Sequence, residues 1–166
     1  MTYLKNLMAM IAANNRSARA YSHTRQIQKP EDLGELKFFL ELNKLPFKDI
    51  SLNGNIFLLY YDDEDNVIGS AGLEIYGEAG LIRSIAVSSK DRGKKLGTKI
   101  VDEMLLLART KNLRSVFLLT ETANEFFLKI GFQDFSRHDV PEAVKNSSEF
   151  SLVCPASAKC MAFRFY

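Results

Sequence analysis

Apolar and polar positions repeat with two different periods along the chain, and the periods separate strands from helices. Strand-like runs cover residues 25–28, 55–62, 67–77, 81–89, 114–120, 132–137 and 159–166. Helical spacing begins near Pro30 and recurs over residues 98–112 and 122–130, with a short stretch after Pro141. Because a helix separates the runs 81–89 and 114–120, these two strands are predicted to be parallel.

The first 24 residues differ in composition from the rest. The first acidic residue is Glu31, whereas five basic residues precede it. We expect an accessory helical segment over residues 1–24, with a helix at 4–20, and a single main domain over residues 25–166. An organellar leader fits the composition only weakly.

Composition and charge exclude several classes of protein. A formal net charge of +2 over 166 residues gives no global basic field, so no nucleic acid partner is expected. The two cysteines and two histidines lack metal-ligand spacing, which predicts no metal site. No apolar run approaches the roughly 20 residues of a membrane span, so no membrane partner is expected. Two reduced thiols suit a cytoplasmic protein.

The stretch "SSKDRGKKLGTKI", residues 88–100, has the chemistry of an anion-binding loop. It lies between a predicted strand and a predicted helix, and the first amides of a helix have no partners within it. Gly93 and Gly97 allow close approach of the backbone, and neighbouring basic residues add positive charge. A Walker loop and a dinucleotide-binding fingerprint both fail, since neither glycine spacing can be laid over these residues.

Two motifs together resemble the GNAT superfamily of N-acetyltransferases. "LIRSIAVSSKDRGKKLGTKIVDEMLLLA" is similar to its motif A, with Arg92 and Gly97 in family positions and Lys95 where glycine is usual. "TANEFFLKIGF" resembles the next motif, and the likeness covers residues 25–166. We expect a negative φ at Lys95, which a lysine adopts without strain.

A narrower likeness is carried by "GLEIYGEAGLIRSIAV", "VFLLTETANEFFLKIGF" and "VPEAVKNSSEFSLVCPASAKCM". These segments resemble the arsenic-resistance acetyltransferase subgroup, which is itself similar to the acetyltransferase domain of N-acetylglutamate synthase. The closing "EF…CP-S-A…CM" is the most distinctive part, and it either shapes an acceptor pocket or docks the last strand.

The resemblance implies a fold and a cosubstrate. The fold is an α/β (α+β) domain whose central, mostly antiparallel mixed sheet contains a splayed parallel strand pair and is flanked by helices. Acetyl-CoA would lie in the wedge between those strands, with a small-molecule amine as the other substrate; a homodimer is also expected. The implied cofactor-binding residues are Ile85, Ala86, Val87, Arg92, Gly93, Lys94, Lys95, Leu96, Gly97, Thr98, Thr120, Asn124 and Phe127.

Amine acetylation requires a proton acceptor, because an amine is mostly charged at neutral pH. Glu74 and Glu78 are the candidate catalytic residues, and an acid within the apolar run "GLEIYG" favours Glu74. The alternative is a solvated strand glutamate. The family's usual tyrosine acid is replaced by Phe127, so Tyr76, Ser84 or Thr120 would have to donate a proton, unless CoA thiolate leaves without one.

Arg83 interrupts an apolar strand on the same formal face as Ile85 and Val87. Its guanidinium could hold an acidic group of the acceptor in a bidentate fork, or it could pair with Glu74 or Glu78. Tyr76 and Arg137 are further candidate substrate-binding residues. Cys154 has no adjacent base in sequence, which disfavours a covalent cysteine mechanism.

These features together predict an acetyl-CoA-dependent N-acetyltransferase that acts directly on a small, acidic, amino-acid-like amine. Two alternatives remain at this point. One is a CoA-binding regulatory module without turnover. Phe127 and Lys95 favour it, because they replace the family's usual tyrosine and glycine. The other is a polyamine or protein acetyltransferase, for which the acidic "DDEDN" run could serve.

Overall fold

The structure is a computed structural model and describes residues 20–166, which fold around one sheet. Its strands are β1 (His23–Gln26), β2 (Ile56–Tyr61), β3 (Val67–Tyr76), β4 (Ala79–Val87), β5 (Ser115–Thr120), β6 (Gln133–Asp134) and β7 (Lys159–Arg164). Its helices are α1 (Leu33–Leu42), α2 (Leu96–Thr110), α3 (Asn124–Ile130) and α4 (Glu142–Lys145). Of the predicted accessory segment 1–24, residues 1–19 lie outside this range. Strand β1 contains the predicted domain boundary at Arg25.

The strand order is β1-β2-β3-β4-β5-β7-β6. Among the described strands, β4 and β5 are parallel neighbours and the other pairings are antiparallel. Helix α2 connects β4 to β5, and a parallel pair requires such a crossover. The predicted α/β (α+β) class, with a mostly antiparallel mixed sheet and flanking helices, is confirmed.

Strands β4 and β5 pair over only part of their length. Ala79, Gly80 and Leu81 lie opposite Ser115, Val116 and Phe117. Beyond this register the two strands separate, although β4 continues to Val87 and β5 to Thr120. The predicted splayed pair is therefore present, and a wedge opens at the C-terminal ends of both strands.

A bulge in β4 explains the change in direction. Ser84 has φ 56°, a left-handed conformation that serine adopts only at a cost, and the β3–β4 register shifts at the same level. The hydroxyl of Ser70 donates to the carbonyl of Ser84 at 2.8 Å and holds the bulge. The bulge interrupts the alternation of side chains along β4.

The sequence prediction that Arg83 shares a face with Ile85 and Val87 is wrong for this reason. Ile85 and Val87 pack with the apolar cluster under α2, whereas Arg83 lies on the opposite face with Glu74. Gly72 makes room there, since a Cβ at this position would lie 2.5 Å from the ring of Phe57 and 3.3 Å from Cγ of Arg83.

Apolar cores lie on both faces of the sheet. Helix α2 buries Ile100, Val101, Met104 and Ala108 against one face, as its helical spacing predicts. Helix α1 buries Leu36, Phe39 and Leu40 against the other. A smaller cluster includes Phe117, Val144 and Cys160 and joins the C-terminal segment to this second face.

Several element ends differ from the sequence prediction. β4 begins at Ala79 instead of residue 81, because Ala79 and Gly80 pair with β5. α2 begins at Leu96, two residues before the predicted start. β6 has only two residues, and a five-residue π-helical turn, Glu149–Val153, follows α4.

Candidate functional site

A cavity of about 940 Å³ opens where β4 and β5 separate. Its walls come from the ends of these two strands, the loop after β4, the first turn of α2 and the loop after α1. β3 occupies the other edge of β4, and β7 occupies the other edge of β5. The strand edges that face the cavity are therefore free to pair with amide groups of a ligand, as in an added strand.

The loop between β4 and α2 forms one end of the cavity. A 3₁₀ turn, Ser89–Asp91, precedes Gly93, whose φ of 77° is a conformation that favours glycine. The first amides of α2, from Leu96 onward, have no carbonyl partner within the helix. The positive end of the helix dipole lies at the same place, so the loop can bind a phosphate group.

Lys95 has φ 64° and forms the N-cap of α2 in a left-handed conformation. The expected negative φ is therefore wrong. The chain must reverse direction between the 3₁₀ turn and α2, and a left-handed residue makes that reversal. Lysine at such a position costs about 1–2 kcal/mol relative to glycine, which explains why the family usually has glycine here.

Two basic side chains of this loop differ in their contacts. Arg92 donates from Nε to the carbonyl of Val87 at 3.2 Å and from a terminal nitrogen to the side-chain oxygen of Asn43 at 3.3 Å. Neither contact neutralises its charge. Lys94 instead forms an ion pair with Asp91 at 3.1 Å. Arg92 therefore has more charge to offer an anion than Lys94 has.

A buried ionic cluster lies at the opposite end of the cavity. Arg83, only 3 % exposed, pairs with Asp49 at 2.6 Å, Glu74 at 2.9 Å and Glu149 at 2.9 Å. The phenol of Tyr76 donates to Glu74 at 2.6 Å, and the hydroxyl of Ser148 donates to Asp49 at 2.5 Å. Three carboxylates surround one guanidinium, so the cluster carries an excess of negative charge.

The acids of the cluster have different environments. Burial alone would raise the pKa of Asp49, but hydrogen bonds from Arg83 and Ser148 and the charge of Arg83 lower it below its usual value. Burial raises the pKa of Glu149, and the charge of Arg83 and a hydrogen bond from Cys154 offset this rise only in part. Glu149 is thus the better proton acceptor of these two.

A second, shallower cavity of about 430 Å³ lies beside the first. Its lining includes Arg137, Lys145 and Phe150, and it shares Cys154 with the larger cavity. The thiol of Cys154 lies 3.3 Å from Glu149, and burial together with this carboxylate raises its pKa to about 12. Such a thiol is protonated at neutral pH and is a poor nucleophile.

The comparison with known families decides the identity of the fold. A family model described as an acetyltransferase (GNAT) domain matches residues 53–134, close to half of the chain and including both motifs and the cavity's two strands. Residues 53–134 of this chain are a GNAT acetyltransferase domain. The protein is accordingly an acyltransferase, and the GNAT resemblance found in the sequence is confirmed.

Three proteins show how far the similarity of this chain to known proteins extends. The Bacillus subtilis protein YwlB is 26 % identical over 128 residues, which are 75 % of this chain and 85 % of that protein. An amino-acid acetyltransferase of Mycobacterium tuberculosis is 40 % identical over 70 residues, 41 % of this chain and 39 % of that enzyme. N-acetylglutamate synthase of Neisseria gonorrhoeae, crystallised with coenzyme A and L-arginine, aligns with TM-score 0.70 at 19 % identity. That alignment covers 89 % of this chain and 34 % of the synthase.

Most of the cofactor-binding residues inferred from the GNAT motifs lie around the larger cavity. Three of those inferred do not line it: Lys94 pairs with Asp91, Leu96 is buried in the core, and Asn124 donates to Asp134 at 2.7 Å. The predicted residues that do line it are Ile85, Ala86, Val87, Arg92, Gly93, Lys95, Gly97, Thr98, Thr120 and Phe127.

The predicted catalytic and substrate-binding residues are placed differently from one another. Glu78 pairs with Arg114 on an exposed surface, where its side chain is 66 % accessible. Glu74 and Tyr76 belong to the buried cluster but not to the cavity wall. Arg83 belongs to both, and Arg137 lines the second cavity.

The candidate proton donors differ in their contacts, and of these Tyr76 is the one whose hydroxyl proton is engaged in the described part of the chain. Phe127 is buried against Phe126 and Phe132 and has no hydroxyl. The hydroxyl of Thr120 accepts a hydrogen bond from the amide of Ala123 at 3.0 Å, and Tyr76 donates to Glu74. The hydroxyl of Ser84 is buried without a partner in the described part of the chain.

Sequence reasoning missed Asp49 and Glu149. Asp49 lies in the loop after α1 and gives no signal in the sequence, since it reaches Arg83 only through the tertiary fold. Glu149 lies within the distinctive "EF…CP-S-A…CM" segment, whose role the sequence left open. In the structure that segment forms part of the wall of the larger cavity, because Glu149, Cys154 and Ala158 line it.

Two further findings concern residues 20–166. No group of three or more histidine, cysteine or acidic residues there has an arrangement that could hold a metal ion. In the same range, no helix combines the length and apolarity that a membrane crossing needs.

Proposed function

We propose that the protein transfers the acetyl group of acetyl-CoA to the amine of a small, acidic, amino-acid-like acceptor. The observation that carries this proposal is a single cavity with a phosphate-binding loop at one end and a buried acidic cluster at the other. The first end suits the pyrophosphate of CoA, and the second suits an amine that must lose a proton.

Residues of this chain fit the cosubstrate along the length of the cavity. The amides of the first turn of α2 and the charge of Arg92 would hold the phosphates. The free edges of β4 at Ile85 and Val87 and of β5 would pair with the amide groups of the pantetheine arm. The cosubstrate supplies an activated acetyl thioester to the inner end of the wedge.

The protonation state of Cys154 supports direct transfer of the acetyl group from acetyl-CoA to the acceptor. With a pKa of about 12, this thiol is not ionised at neutral pH and is held by the carboxylate of Glu149. An enzyme-bound thioester would require a thiolate. The amine of the acceptor is therefore expected to attack the acetyl group without a covalent enzyme intermediate.

The amino-acid-like acceptor is supported by the relatives. Two similar proteins are an amino-acid acetyltransferase and an N-acetylglutamate synthase, although the alignments cover well under half of each. The acidic "DDEDN" turn at residues 62–66 does not line either cavity, so it gives no support to a polyamine acceptor.

A thiol-release assay tests this function. Acetyl-CoA is incubated with the protein and with acidic amino acids, neutral amino acids or polyamines, and free CoA is measured. We expect acceptor-dependent release with the acidic amino acids above all. No release with any amine, despite acetyl-CoA binding, would favour a regulatory CoA-binding module instead.

A further inference from the structure

Glu149 is the carboxylate through which the buried cluster reaches the larger cavity. Arg83 pairs with three acids, and of these Glu149 belongs to the cavity wall whereas Asp49 and Glu74 do not. The side chain of Glu149 is 10 % exposed, which leaves it mostly desolvated but open to a ligand. A charge in such a place interacts strongly with an opposite charge brought next to it.

The cluster lacks positive charge. Three carboxylates face one guanidinium, so two negative charges have no counter-charge among the four groups. Buried charge is costly unless it is paired. An ammonium group that entered the cavity beside Glu149 would supply one of the missing positive charges.

The second cavity has the opposite character. Arg137 donates to the carbonyl of Pro155 at 2.9 Å and lies 5.5 Å from the centre of the Phe150 ring. These contacts and a longer one to the carbonyl of Phe150 fix the guanidinium, and no carboxylate among residues 20–166 pairs with it. Cys154 lines both cavities, and its thiol interacts electrostatically with both Glu149 and Arg137.

We propose that Glu149 binds the ammonium group of the acceptor and takes its proton, while Arg137, across Cys154, holds an acidic group of the same acceptor. This inference rests on the proposed function and deepens it, because it names the two residues that select a zwitterionic acceptor. It also assigns a role to the C-terminal segment that contains Glu149 and Cys154.

The proposed step balances in atoms and charge. The ammonium nitrogen gives one proton to the carboxylate of Glu149 and becomes a neutral amine. Its lone pair then forms the bond to the acetyl carbon as the carbon–sulfur bond breaks, and the electron pair of that bond goes to sulfur. The nitrogen loses a second proton, which the sulfur gains, and Glu149 later releases its own proton to solvent.

The groups around Glu149 determine the pH dependence. Arg83, Asp49, Glu74 and Cys154 face it, with Arg137 beyond the thiol. Because burial raises its pKa, Glu149 becomes ionised at a higher pH than an ordinary glutamate. We therefore expect kcat/KM to rise with pH through the titration of this group.

Ligand-observed NMR without cosubstrate tests the binding part. The probes are ω-amino acids of three to six carbons, with n-butylamine and butyrate as single-charge controls. We expect at least one zwitterion to bind more tightly than either control. Glu149→Gln and Arg137→Gln should each weaken its binding by about tenfold. Asp63→Asn removes a carboxylate from an exposed turn that lines neither cavity and should change the affinity by less than about threefold.

Circular dichroism verifies that each variant is folded. If Glu149→Gln unfolds, Glu149→Asp replaces it and should weaken binding through the shorter reach, and Arg137→Gln tests the other half independently. Unchanged affinity in Glu149→Gln or Arg137→Gln overturns the proposal. So does the absence of zwitterion binding to the wild-type protein.

Turnover gives a second readout. With the acceptor found by thiol release, Glu149→Gln should lower kcat/KM by about 100-fold or more and move its rise with pH to the higher range in which the amine itself loses its proton. A rise that persists over the same pH range as in the wild type overturns the role of Glu149 as proton acceptor. Zwitterion binding without any acetyl transfer would contradict the proposed function and leave the binding assignment standing, so the two failures are distinguishable.

Discussion

At the scale of single residues, Lys95 is where sequence and structure disagree most plainly. The family motif has glycine at this position, and the structure has lysine at φ 64°. A side chain without β-branching tolerates this conformation at a cost, and the fold accepts it because the loop must enter α2 from this direction. The motif could predict the loop, but it could not predict whether the backbone would change to suit the lysine.

Replacing Lys95 by glycine should therefore stabilise the protein. Relief of the left-handed strain is worth about 1–2 kcal/mol and is partly offset by the greater entropy of an unfolded glycine. We expect Lys95→Gly to raise the free energy of unfolding by about 1 kcal/mol in urea titrations. Lys94→Gly, at a residue without positive φ, should instead lower it by about 0.5–1 kcal/mol. If both substitutions changed the free energy of unfolding equally, the backbone at Lys95 would not be strained.

At the scale of elements, periodicity predicted the strands and helices well but not where their side chains would face. The parallel β4–β5 pair follows from the helix between the two strands. The bulge at Ser84 has no signal in the sequence, because no glycine or proline marks this part of the strand. That single bulge moves Arg83 to the face opposite Ile85 and Val87, and it thereby decides which acids the guanidinium meets.

The cluster joins four elements, and its acids give the fold a defined pH dependence. The folded-state pKa of Asp49 lies below its value in the unfolded chain, which is about 4. Its ionised form therefore stabilises the fold above that pH, and the contribution is lost as the pH falls through the folded-state pKa.

As the pH falls below about 4, Asp49→Asn should accordingly lose less stability than the wild type does. Thermal melting over this range measures the difference. Asp63→Asn removes the same charge from an exposed turn and serves as the control. Its melting temperature should fall with decreasing pH as that of the wild type does. A melting temperature that falls more steeply with decreasing pH in Asp49→Asn than in the wild type would show that the pKa of Asp49 is not lowered by its partners.

At the scale of the whole molecule, the two ends of the cavity were predictable to different extents. The phosphate-binding loop is one continuous segment, so its residues could be found from the sequence. The acidic cluster brings together Asp49, Glu74, Arg83 and Glu149 from four separate parts of the chain. Ser148 and Asp49, 99 residues apart, are in direct contact, and one sequence gives no means to pair such distant positions.

Calorimetric titration with acetyl-CoA tests the central claim most directly. We expect one molecule to bind per chain, and Arg92→Ala to weaken the affinity by about tenfold, since a charge-assisted contact of roughly 1.4 kcal/mol is lost. Lys94→Ala should have a smaller effect, because Asp91 already neutralises that lysine. Absence of binding at about 1 mM acetyl-CoA, with no shift of the melting temperature, would contradict the account.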